Sequence, residues 1–475
     1  MAEHPTDSES AQQPGFNSRQ DTSAISREIQ RRLLLASPTL RLMNQSSREF
    51  FRRLTLAPHQ IDFFHQVDDP YSALALQTIP ELSKRYDVEF EFHLVSLGDR
   101  NHVPEPELLA DYARRDCIWV APYYGLNFPA ETSRPSQQNI ERVERLLAGL
   151  TRDSRFLQVA TEAGNALWQN DQSALDALAE HIPQQSIADK DACIEAGNAL
   201  RKKRHHYSGA MFWYAGEWYW GVDRLHHLER RLIKLGALKI GRASKSRPRF
   251  DRPAIDAGNI QNAGRLSLDF FPSLRSPYTA MIFSQSMELA RSVDVPVTLR
   301  PVMPMVMRGV PAPAAKGIYI MTDAIREARH IGEPFGNMLD PIGRPVERGF
   351  SLWPFANERG RGEEFLSEFL QAAFVLGKPT GTDEALEGIL ERAGLSFEEA
   401  KTCLDSEGWR EELEENRQLM YEELGLWGVP SYRLRGPAGE PDLCVWGQDR
   451  LWLVAAEIRR RLAGDPLPGD AENAG

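Results

Sequence analysis

The sequence predicts an α/β protein made of two similar domains in tandem, and three observations lead to this prediction. The length of 475 residues exceeds that of one ordinary domain and allows two sizeable cores. Motifs from the first half of the chain recur in the same order in the second half. Each half also begins with a short apolar run, a helical period and a β-rich run.

The recurring motifs are collinear, as expected for repeats that differ by insertions. Asp69 and Ser276 are separated by 207 residues, and Trp220 and Trp446 by 226 residues. The separation therefore grows in one direction along the chain. The matching segments are 61–64 and 268–271, 69–73 and 276–280, 111–122 and 323–334, and 220–225 and 446–451.

Composition shifts along the chain suggest where the domains begin and end. The first residues are polar and have little to bury, which predicts disorder. Apolar residues at helical spacing then predict an amphipathic arm packed on the first domain. The predicted division is disorder at 1–22, the helical arm at 23–56, a first domain at 57–240, a linker at 241–264, a second domain at 265–463 and a tail at 464–475.

Within each predicted domain, a strand, a Pro-Tyr turn, a helix and a second strand precede a long helical segment. These helical segments span 105–204 and 320–425, and each domain closes with strands, a Gly turn and a last helix. No GxGxxG sequence follows either first strand, which argues against a dinucleotide-binding fold. The predicted fold class is therefore α/β, with two tandem thioredoxin-like domains that each carry a helical insertion.

Composition excludes several classes of function. The net charge of −11 disfavours a nucleic-acid partner, and no apolar run approaches the roughly 18 residues of a membrane span. The N-terminal sequence does not resemble a secretory signal, so we expect a cytoplasmic protein. The four cysteines are far apart and form no CxxC pair, so we predict neither a metal site nor a dithiol centre.

The second half resembles kappa-class glutathione transferases and 2-hydroxychromene-2-carboxylate isomerases, relatives of the DsbA-like thioredoxin group. The resemblance covers nearly all of 264–463, and the first half resembles the same pattern more faintly. It implies glutathione as cosubstrate and a small electrophilic, aromatic acceptor. The motifs that carry it are 269–270 with 276–278, 316–319 with Asp323 and Arg326, 428–430, and 446–450.

Ser276 and Pro430 are the first candidate site residues. Ser276 lies where a strand ends and a helix begins, and a helix N-terminus favours a thiolate. In the resembled family this serine hydrogen-bonds the glutathione sulfur, whereas the alternative is a plain helix cap. Pro430 occupies the cis-proline position of the family, where the Val429 backbone can pair with an extended thiol ligand. An edge-strand or turn proline is the alternative.

Other candidates would hold the two ends of glutathione. Gln448 and Asp449 open the last helix and could bind the amino-acid end of the γ-glutamyl group, or form a simple helix cap. Lys316 could steer the other carboxylate. Met307 stands where the family has an Asn that would contact glutathione, and Asn337 is the candidate substitute.

The first domain departs further from the family, because Asp69 replaces Ser276 and Ala210 replaces Pro430. We therefore predict that only the second domain is active, as a glutathione-dependent transferase or isomerase. A binding module without catalysis is the alternative. A thiol-disulfide oxidoreductase is less favoured, since Ser276 and Thr279 stand at the CxxC positions. We expect a cis Val429-Pro430 bond, a trans bond at position 210 and pairing of the two domains, with a homodimer left open.

Overall fold

The computed structural model describes residues 37–239 and 247–465, and within them lie two four-stranded sheets. The strands of the first sheet are β1 (His59–His65), β2 (Val88–Leu94), β3 (Met211–Tyr214) and β4 (Glu217–Trp220). The strands of the second are β5 (Ser267–Phe271), β6 (Val297–Leu299), β7 (Ser431–Arg435) and β8 (Leu443–Trp446). We call residues 59–239 the first unit and residues 265–465 the second unit.

The two sheets have the same strand order and the same strand directions. Their orders are β2-β1-β3-β4 and β6-β5-β7-β8. In each, the first strand is parallel to the second and antiparallel to the third, which forms a hairpin with the fourth. Ring pairs join the first and third strands, with Phe63 at 4.7 Å from Phe212 and Phe270 at 5.0 Å from Tyr432 between centroids.

Helices account for most of the remaining chain. Ahead of the first sheet lies α1 (Pro38–Leu54). The first unit contains α2 (Pro70–Arg85), α3 (Pro106–Tyr124), α4 (Gln137–Ala148), α5 (Phe156–Trp168), α6 (Gln172–His181), α7 (Ile187–Lys203) and α8 (Leu225–Leu235). The second contains α9 (Pro277–Ser292), α10 (Ala314–Ile331), α11 (Arg344–Ser351), α12 (Trp353–Glu358), α13 (Gly362–Phe374), α14 (Asp383–Arg392), α15 (Phe397–Ala400), α16 (Trp409–Gln418) and α17 (Leu451–Ala463).

The helices occupy matching places in the two units. Helices α2 and α9 each connect the parallel pair of strands, and each begins with a proline at the first helical position, where its missing N–H costs nothing. Helices α3 to α7 lie between β2 and β3, and α10 to α16 lie between β6 and β7. Each half thus carries a helical segment at the point where the sequence predicted one.

Helix α1 turns its polar side toward the first unit and its apolar side outward. Arg41 pairs with Glu217 of β4 at 2.8 Å, and Arg52 donates to the Ala57 carbonyl at 2.8 Å. The arm was predicted to pack on the first domain, and this helix contacts that domain through the Arg41–Glu217 ion pair rather than through its apolar side chains. Residues 1–36, where we predicted disorder and the start of the arm, lie outside the described residues. The exposed apolar side chains are Leu40, Leu42, Met43, Phe50, Phe51 and Leu54.

The segment between the units contains no helix or strand over residues 247–264, as expected of a linker. It is nevertheless hydrogen-bonded to both units. The Arg249 and Phe250 amides donate to the Glu229 carboxylate at 2.7 and 2.8 Å, and the Asn262 side chain donates to the Leu266 carbonyl at 2.9 Å. Residues 240–246 and 466–475, the latter covering most of the predicted tail, are outside the described residues.

Candidate functional site

Buried ion pairs join the two units. Arg450 of the second unit donates to Asp116 at 2.6 Å and to Asp223 at 2.8 Å, both in the first unit. The Tyr71 hydroxyl also donates to Asp116, at 2.7 Å. All three charged side chains are buried, so each charge depends on its partners.

Equivalent contacts are formed by an arginine of the first unit with aspartates of the second. Arg224 of the first unit donates to Asp323 at 2.8 Å and to Asp449 at 2.6 Å, both in the second unit. The Tyr278 hydroxyl donates to Asp323 at 2.9 Å. Each unit therefore supplies one arginine and two aspartates to the other, in the same arrangement.

Arginines control the charge state of Asp323 and Asp449. Burial alone would raise the pKa of Asp323, but Arg224 and Arg326 outweigh burial and hold that pKa at about 2. The pKa of Asp449 is likewise lowered by Arg224 and Arg450, against the effect of burial. Both carboxylates are thus ionised at neutral pH, and both are already paired.

These contacts correct one of the sequence matches. Asp116 and Asp323 occupy the same place, and they are separated by 207 residues, the same distance as Asp69 and Ser276. The sequence had paired Asp111 with Asp323, which is wrong, because Asp111 is exposed and pairs with Arg134 at 2.9 Å. An Asp-x-x-Arg pattern starts at both Asp111 and Asp323, and this similarity concealed the buried equivalent.

A cavity of about 290 Å³ lies between the units, beside the ion pairs. Its wall is largely aromatic and apolar, and both units contribute to it. The wall includes Tyr71, His206 and Trp220 from the first unit, and Ser273, Ser276, Lys316, Tyr319, Val429 and Gln448 from the second.

Ser276 and Val429 meet at one side of this cavity. The Ser276 hydroxyl caps α9 by accepting from the Thr279 amide at 3.1 Å, and it donates to the Val429 carbonyl at 3.3 Å. The Val429-Pro430 bond is cis, so that prediction is confirmed. The structure therefore brings together the first three predicted site residues.

Ala210 takes the place of Pro430 in the first unit, as predicted. The Pro430 carbonyl accepts from the Gly447 amide at 2.9 Å, and the Ala210 carbonyl accepts from the Gly221 amide at 2.8 Å. Each residue directly precedes the third strand of its sheet. The Gly209-Ala210 bond is not among the cis bonds of the described chain.

The remaining candidates are arranged differently from the prediction. Gln448 lines the cavity and donates to Glu327 at 2.8 Å. Asp449 also lines it, but its carboxylate is engaged by Arg224 and so is not free to receive a ligand ammonium. This outcome follows from pairing between units, which a single motif does not show.

Of Lys316 and Asn337, only Lys316 lies on the cavity wall. The Lys316 ammonium lines the cavity and donates to the His102 carbonyl at 3.1 Å, and burial lowers its pKa. Asn337 is exposed, donates to the Leu376 carbonyl at 3.2 Å and is not part of the cavity wall. Met307, at the position of the family Asn, is buried.

Four buried polar atoms of the cavity wall have no hydrogen-bond partner within the described ranges. They are His206 Nε2, Ser273 Oγ, Tyr319 Oη and Gln448 Oε1. Leaving such atoms unpaired costs free energy, so their position favours a ligand that satisfies them. His206 and Ser273 were not predicted from the sequence, and of the two only Ser273 lies beside a motif that could have indicated it.

His206 presents a donor to the cavity. Its Nδ1 accepts from the Ser208 amide at 3.2 Å, so the proton of the neutral ring lies on Nε2. Burial lowers the pKa of this imidazole to about 3. The ring also packs edge-on against Tyr319, with 4.7 Å between centroids, which places both unpaired polar groups at one end of the cavity.

The corresponding place in the first unit is smaller and carries a carboxyl group. A cavity of about 80 Å³ is lined by Asp69, Tyr71, Gly209 and Trp220, among others. Asp69 caps α2 by accepting from the Tyr71 and Ser72 amides. Burial raises its pKa to about 7, although the Ser72 hydroxyl bond opposes this.

Among residues 37–239 and 247–465, two groups of side chains have the composition of metal ligands. Asp62, Glu91 and His93 form one, but Asp62 already pairs with His93 at 2.7 Å and with Arg204 at 2.9 Å. His226, His227 and Glu327 form the other, at the contact between the units. Burial lowers the pKa of both histidines, so their rings are neutral at neutral pH.

Comparison with known proteins identifies the second unit. Residues 267–459 match a family model described as the DSBA-like thioredoxin domain, so this part of the chain is a mixed α/β domain of that kind. No curated protein matches the sequence. Within the described chain, no helix is long and apolar enough to cross a membrane.

Several solved structures are similar in fold. A probable DsbA oxidoreductase from Streptomyces coelicolor is 19% identical, with 42% of this chain and 91% of that chain covered and a TM-score of 0.33. A 2-hydroxychromene-2-carboxylate isomerase is 19% identical, with 41% and 94% covered and a TM-score of 0.34. The cytosolic disulfide reductase DsbM from Pseudomonas aeruginosa is 20% identical, with 41% and 99% covered and a TM-score of 0.31.

Proposed function

We propose that the second unit binds glutathione in the cavity between the units and uses its thiolate to attack a small electrophilic, aromatic compound. The activity is that of a transferase or an isomerase. The observation that carries this proposal is the Ser276 hydroxyl, which lies on the cavity wall at the N-terminus of α9 and 3.3 Å from the Val429 carbonyl. A hydroxyl and a helix N-terminus at one point favour a sulfur anion.

In the proposed reaction, glutathione lies extended along Val429-Pro430. The Ser276 hydroxyl gives up its bond to the Val429 carbonyl and donates instead to the thiolate. A sulfur lone pair then forms a bond to the electrophilic carbon of the acceptor. In a transfer, a leaving group departs with its electron pair or the resulting carbanion takes up a proton. In an isomerisation, a bond of the adduct rotates and elimination regenerates the thiolate.

The two ends of glutathione would meet groups of opposite character. The Gln448 carbonyl oxygen is unpaired on the cavity wall and can accept from the γ-glutamyl ammonium. Asp449, held by Arg224, contributes negative potential there rather than a direct bond. Lys316, which has no carboxylate partner in the described part of the chain, would receive the glycyl carboxylate. Asn337 is too far out to take part.

The first unit supplies much of the wall for the acceptor. Tyr71 and Trp220 also line the cavity, and their ring contact of 5.6 Å between centroids makes an apolar face suited to an aromatic ring. We infer that the first unit is a second thioredoxin-like copy that arose by tandem duplication and closes the cavity without catalysing a reaction. The four free cysteines fit a reducing compartment, and we propose a cytoplasmic location.

The test is conjugation of glutathione to chlorodinitrobenzene by the full chain. One charge-assisted hydrogen bond contributes about 1.5–3 kcal/mol. Ser276→Ala should therefore lower kcat by a factor of roughly 10 to 150, with little change in the unfolding temperature. The matched control is Asp69→Ala, which alters the equivalent helix cap and should leave turnover nearly unchanged. Equal losses from the two substitutions would contradict the assignment of the second unit as the active one.

A binding module without turnover is the second candidate. It is favoured by the occupied state of the Val429 carbonyl and of the Asp449 carboxylate, each already bonded within the protein. Glutathione binding by calorimetry without conjugation of any electrophile would support this alternative. A dithiol oxidoreductase is disfavoured, because Ser276 and Thr279 stand at the two CxxC positions.

A further inference from the structure

The contact between the units is built twice, and one of the two versions is aromatic. Helix α3 of the first unit meets α17 of the second through Tyr123 and Trp452, whose ring centroids are 4.9 Å apart in an edge-on arrangement. Tyr124 also approaches Trp452, at 6.3 Å. Aromatic rings therefore fill this contact, beside the Arg450–Asp116 ion pair.

The equivalent contact, between α8 and α10, is made of histidines and a carboxylate. His226 follows Arg224 at the spacing at which Trp452 follows Arg450. His330 likewise follows Asp323 at the spacing at which Tyr123 follows Asp116. Because Tyr123 and Trp452 fill the contact between α3 and α17, the fold itself does not require imidazole rings at the contact between α8 and α10.

The polar side chains of this contact converge on a small volume. His226, His227 and Glu327 each offer a ligand atom, and these three atoms lie within 4.8 Å of one another. His226 Nε2 is 3.8 Å from Glu327 Oε1, and His227 Nε2 is hydrogen-bonded to the same oxygen. The His330 ring lies beside them, with its centroid 4.6 Å from that of His226.

His226 is the least explained member of this group. Its side chain is 0% exposed, and neither ring nitrogen has a hydrogen-bond partner among residues 37–239 and 247–465. A buried polar group without a partner is costly. A metal ion at this point would use one of these nitrogens as a ligand.

The surrounding charges leave room for a cation. Glu327 Oε2 is held by Arg252 and by the Gln448 amide, whereas Oε1 faces the histidines and lies 3.5 Å from Arg224 Nε. The buried network contains five carboxylates, those of Asp116, Asp223, Asp323, Glu327 and Asp449. The guanidinium groups bonded to them number four, from Arg224, Arg252, Arg326 and Arg450. The carboxyl groups therefore outnumber the guanidinium groups by one within this network, and burial raises the pKa of one of them, Asp223.

We propose that His226, His227 and Glu327 bind a divalent transition-metal ion, Zn²⁺ by preference, which links the first unit to the second. Imidazole nitrogens and a carboxylate oxygen suit Zn²⁺, which takes four ligands in such sites. His330, or a water in the adjoining cavity of about 200 Å³ that His330 and Arg252 line, completes the set. The ion replaces the hydrogen bond between His227 and Glu327, whose two atoms move to about 3.4 Å apart.

The role of this ion would be structural, and it does not depend on the proposed function. The His-Glu group lies on a different part of the interface from Ser276, which caps α9. Arg252 and Gln448 would orient Glu327 from outside the ligand set, as outer-shell partners do in metal sites. The expected consequence is a tighter contact between α8 and α10.

The test is Zn²⁺ binding by the full chain, prepared without a histidine tag and stripped by dialysis against a chelator. Titration against a chromophoric competitor should give one Zn²⁺ per chain, and Co²⁺ in its place should give visible absorption bands. His226→Phe, which introduces a ring of the kind found at the aromatic contact, should weaken binding by more than the 10–100-fold that loss of an outer-shell partner costs. His181→Ala, at an exposed histidine on α6, should leave binding unchanged.

A second variant tests the site in case His226→Phe fails to fold. His330 is only half-buried, so His330→Tyr, which introduces the residue found at the equivalent position 123, should fold. It should weaken Zn²⁺ binding if His330 is the fourth ligand and leave binding intact if a water is the fourth ligand. In either case Zn²⁺ should raise the unfolding temperature of the native protein and not that of His226→Phe. Failure of the native protein to bind one Zn²⁺ per chain would overturn the proposal, as would equal affinity in a folded His226→Phe variant.

Discussion

The two units have the same sheet topology and contribute the same kinds of ion-pairing residue to the interface. They differ at the helix N-terminus where chemistry would occur. Both units have the same strand order and the same Tyr-Asp-Arg contacts. In both, the carbonyl of the residue before the third strand accepts a hydrogen bond from a glycine amide. In contrast, Asp69 and Ala210 stand where Ser276 and Pro430 stand. The difference teaches that the ion pairs of the interface and the candidate site vary separately, since the ion pairs are repeated in both directions while the site residues are not.

The asymmetry extends to the cavities. The cavity of the second unit, about 290 Å³, receives walls from both units, while the cavity at Asp69 is about 80 Å³. The carboxyl group of Asp69 would repel a thiolate once it is ionised, whereas the Ser276 hydroxyl can donate to one. On this account the first unit contributes shape and the second contributes chemistry.

The strongest expected effect concerns the symmetric part, the buried ion pairs. Arg450→Met removes the guanidinium bonded to Asp116 and Asp223. Arg224→Met removes the one bonded to Asp449 and one of the two bonded to Asp323, which keeps Arg326. Each should lower the free energy of unfolding by about 3–5 kcal/mol. Urea unfolding measures this loss. Arg134→Met breaks only exposed pairs with Glu107 and Asp111, and it should cost no more than about 1 kcal/mol. A large loss from only one of the two buried substitutions would break the symmetry argued here.

The paired tyrosines sharpen the same point with a smaller change. Tyr71→Phe and Tyr278→Phe each remove one hydroxyl that donates to a buried aspartate, Asp116 or Asp323. Bonds to charged groups contribute about 1.5–3 kcal/mol, so the two losses of unfolding free energy should be similar. Markedly unequal losses in thermal unfolding would mean that one unit carries the interface alone.

Asp69 should make the stability of the first unit depend on pH. Its pKa is raised from 3.8 to about 7 by burial, so the folded state retains the proton that the unfolded chain releases. Stability should therefore fall as the pH rises from about 4 to about 7. Asp69→Asn keeps an oxygen at the helix cap without this titration, and it should gain about 1–2 kcal/mol relative to the native protein across that window.

Urea unfolding near pH 4 and near pH 8 measures this gain, which should be absent at the lower pH. Ser276→Asn is the matched control, because neither side chain at that position titrates. An Asp69→Asn variant with the same relative stability at both pH values would show that Asp69 ionises normally and that its cap resembles an exposed one.

The smallest effect is expected at α1, which lies outside the comparison of the two units. Phe50 and Met43 are exposed, so Phe50→Ser and Met43→Ser should change the unfolding free energy by no more than about 0.5 kcal/mol. Arg41→Met, which removes the pair with Glu217, should have the larger effect. A loss of several kcal/mol from Phe50→Ser would mean that the apolar face of α1 is covered after all.

Local patterns were enough to predict much of the fold. The repeated strand and Pro-Tyr motifs, the helical insertions and the cis bond before Pro430 all depend on short segments, whose physical signals lie in neighbouring residues. Ser276 and Val429 could be predicted to meet because both belong to such motifs.

Contacts between distant residues could not be predicted in this way. Arg224 and Asp449 are far apart in the sequence, so nothing local indicated that the Asp449 carboxylate would be occupied. The same holds for His206, which reaches the cavity from the first unit, and for the meeting of His226 with Glu327. The orientation of α1 was also missed, because an apolar stripe indicates a face that can be buried but not what covers it.

The central claim, that the second unit alone provides a thiol site, is tested most directly by the stoichiometry and place of glutathione binding. Calorimetry on the full chain should give one glutathione per chain, and a crystal of the complex should place the sulfur at the Ser276 hydroxyl with the backbone along Val429. Two glutathione molecules per chain, or one bound at Asp69, would contradict the account. So would the absence of binding by a correctly folded native protein.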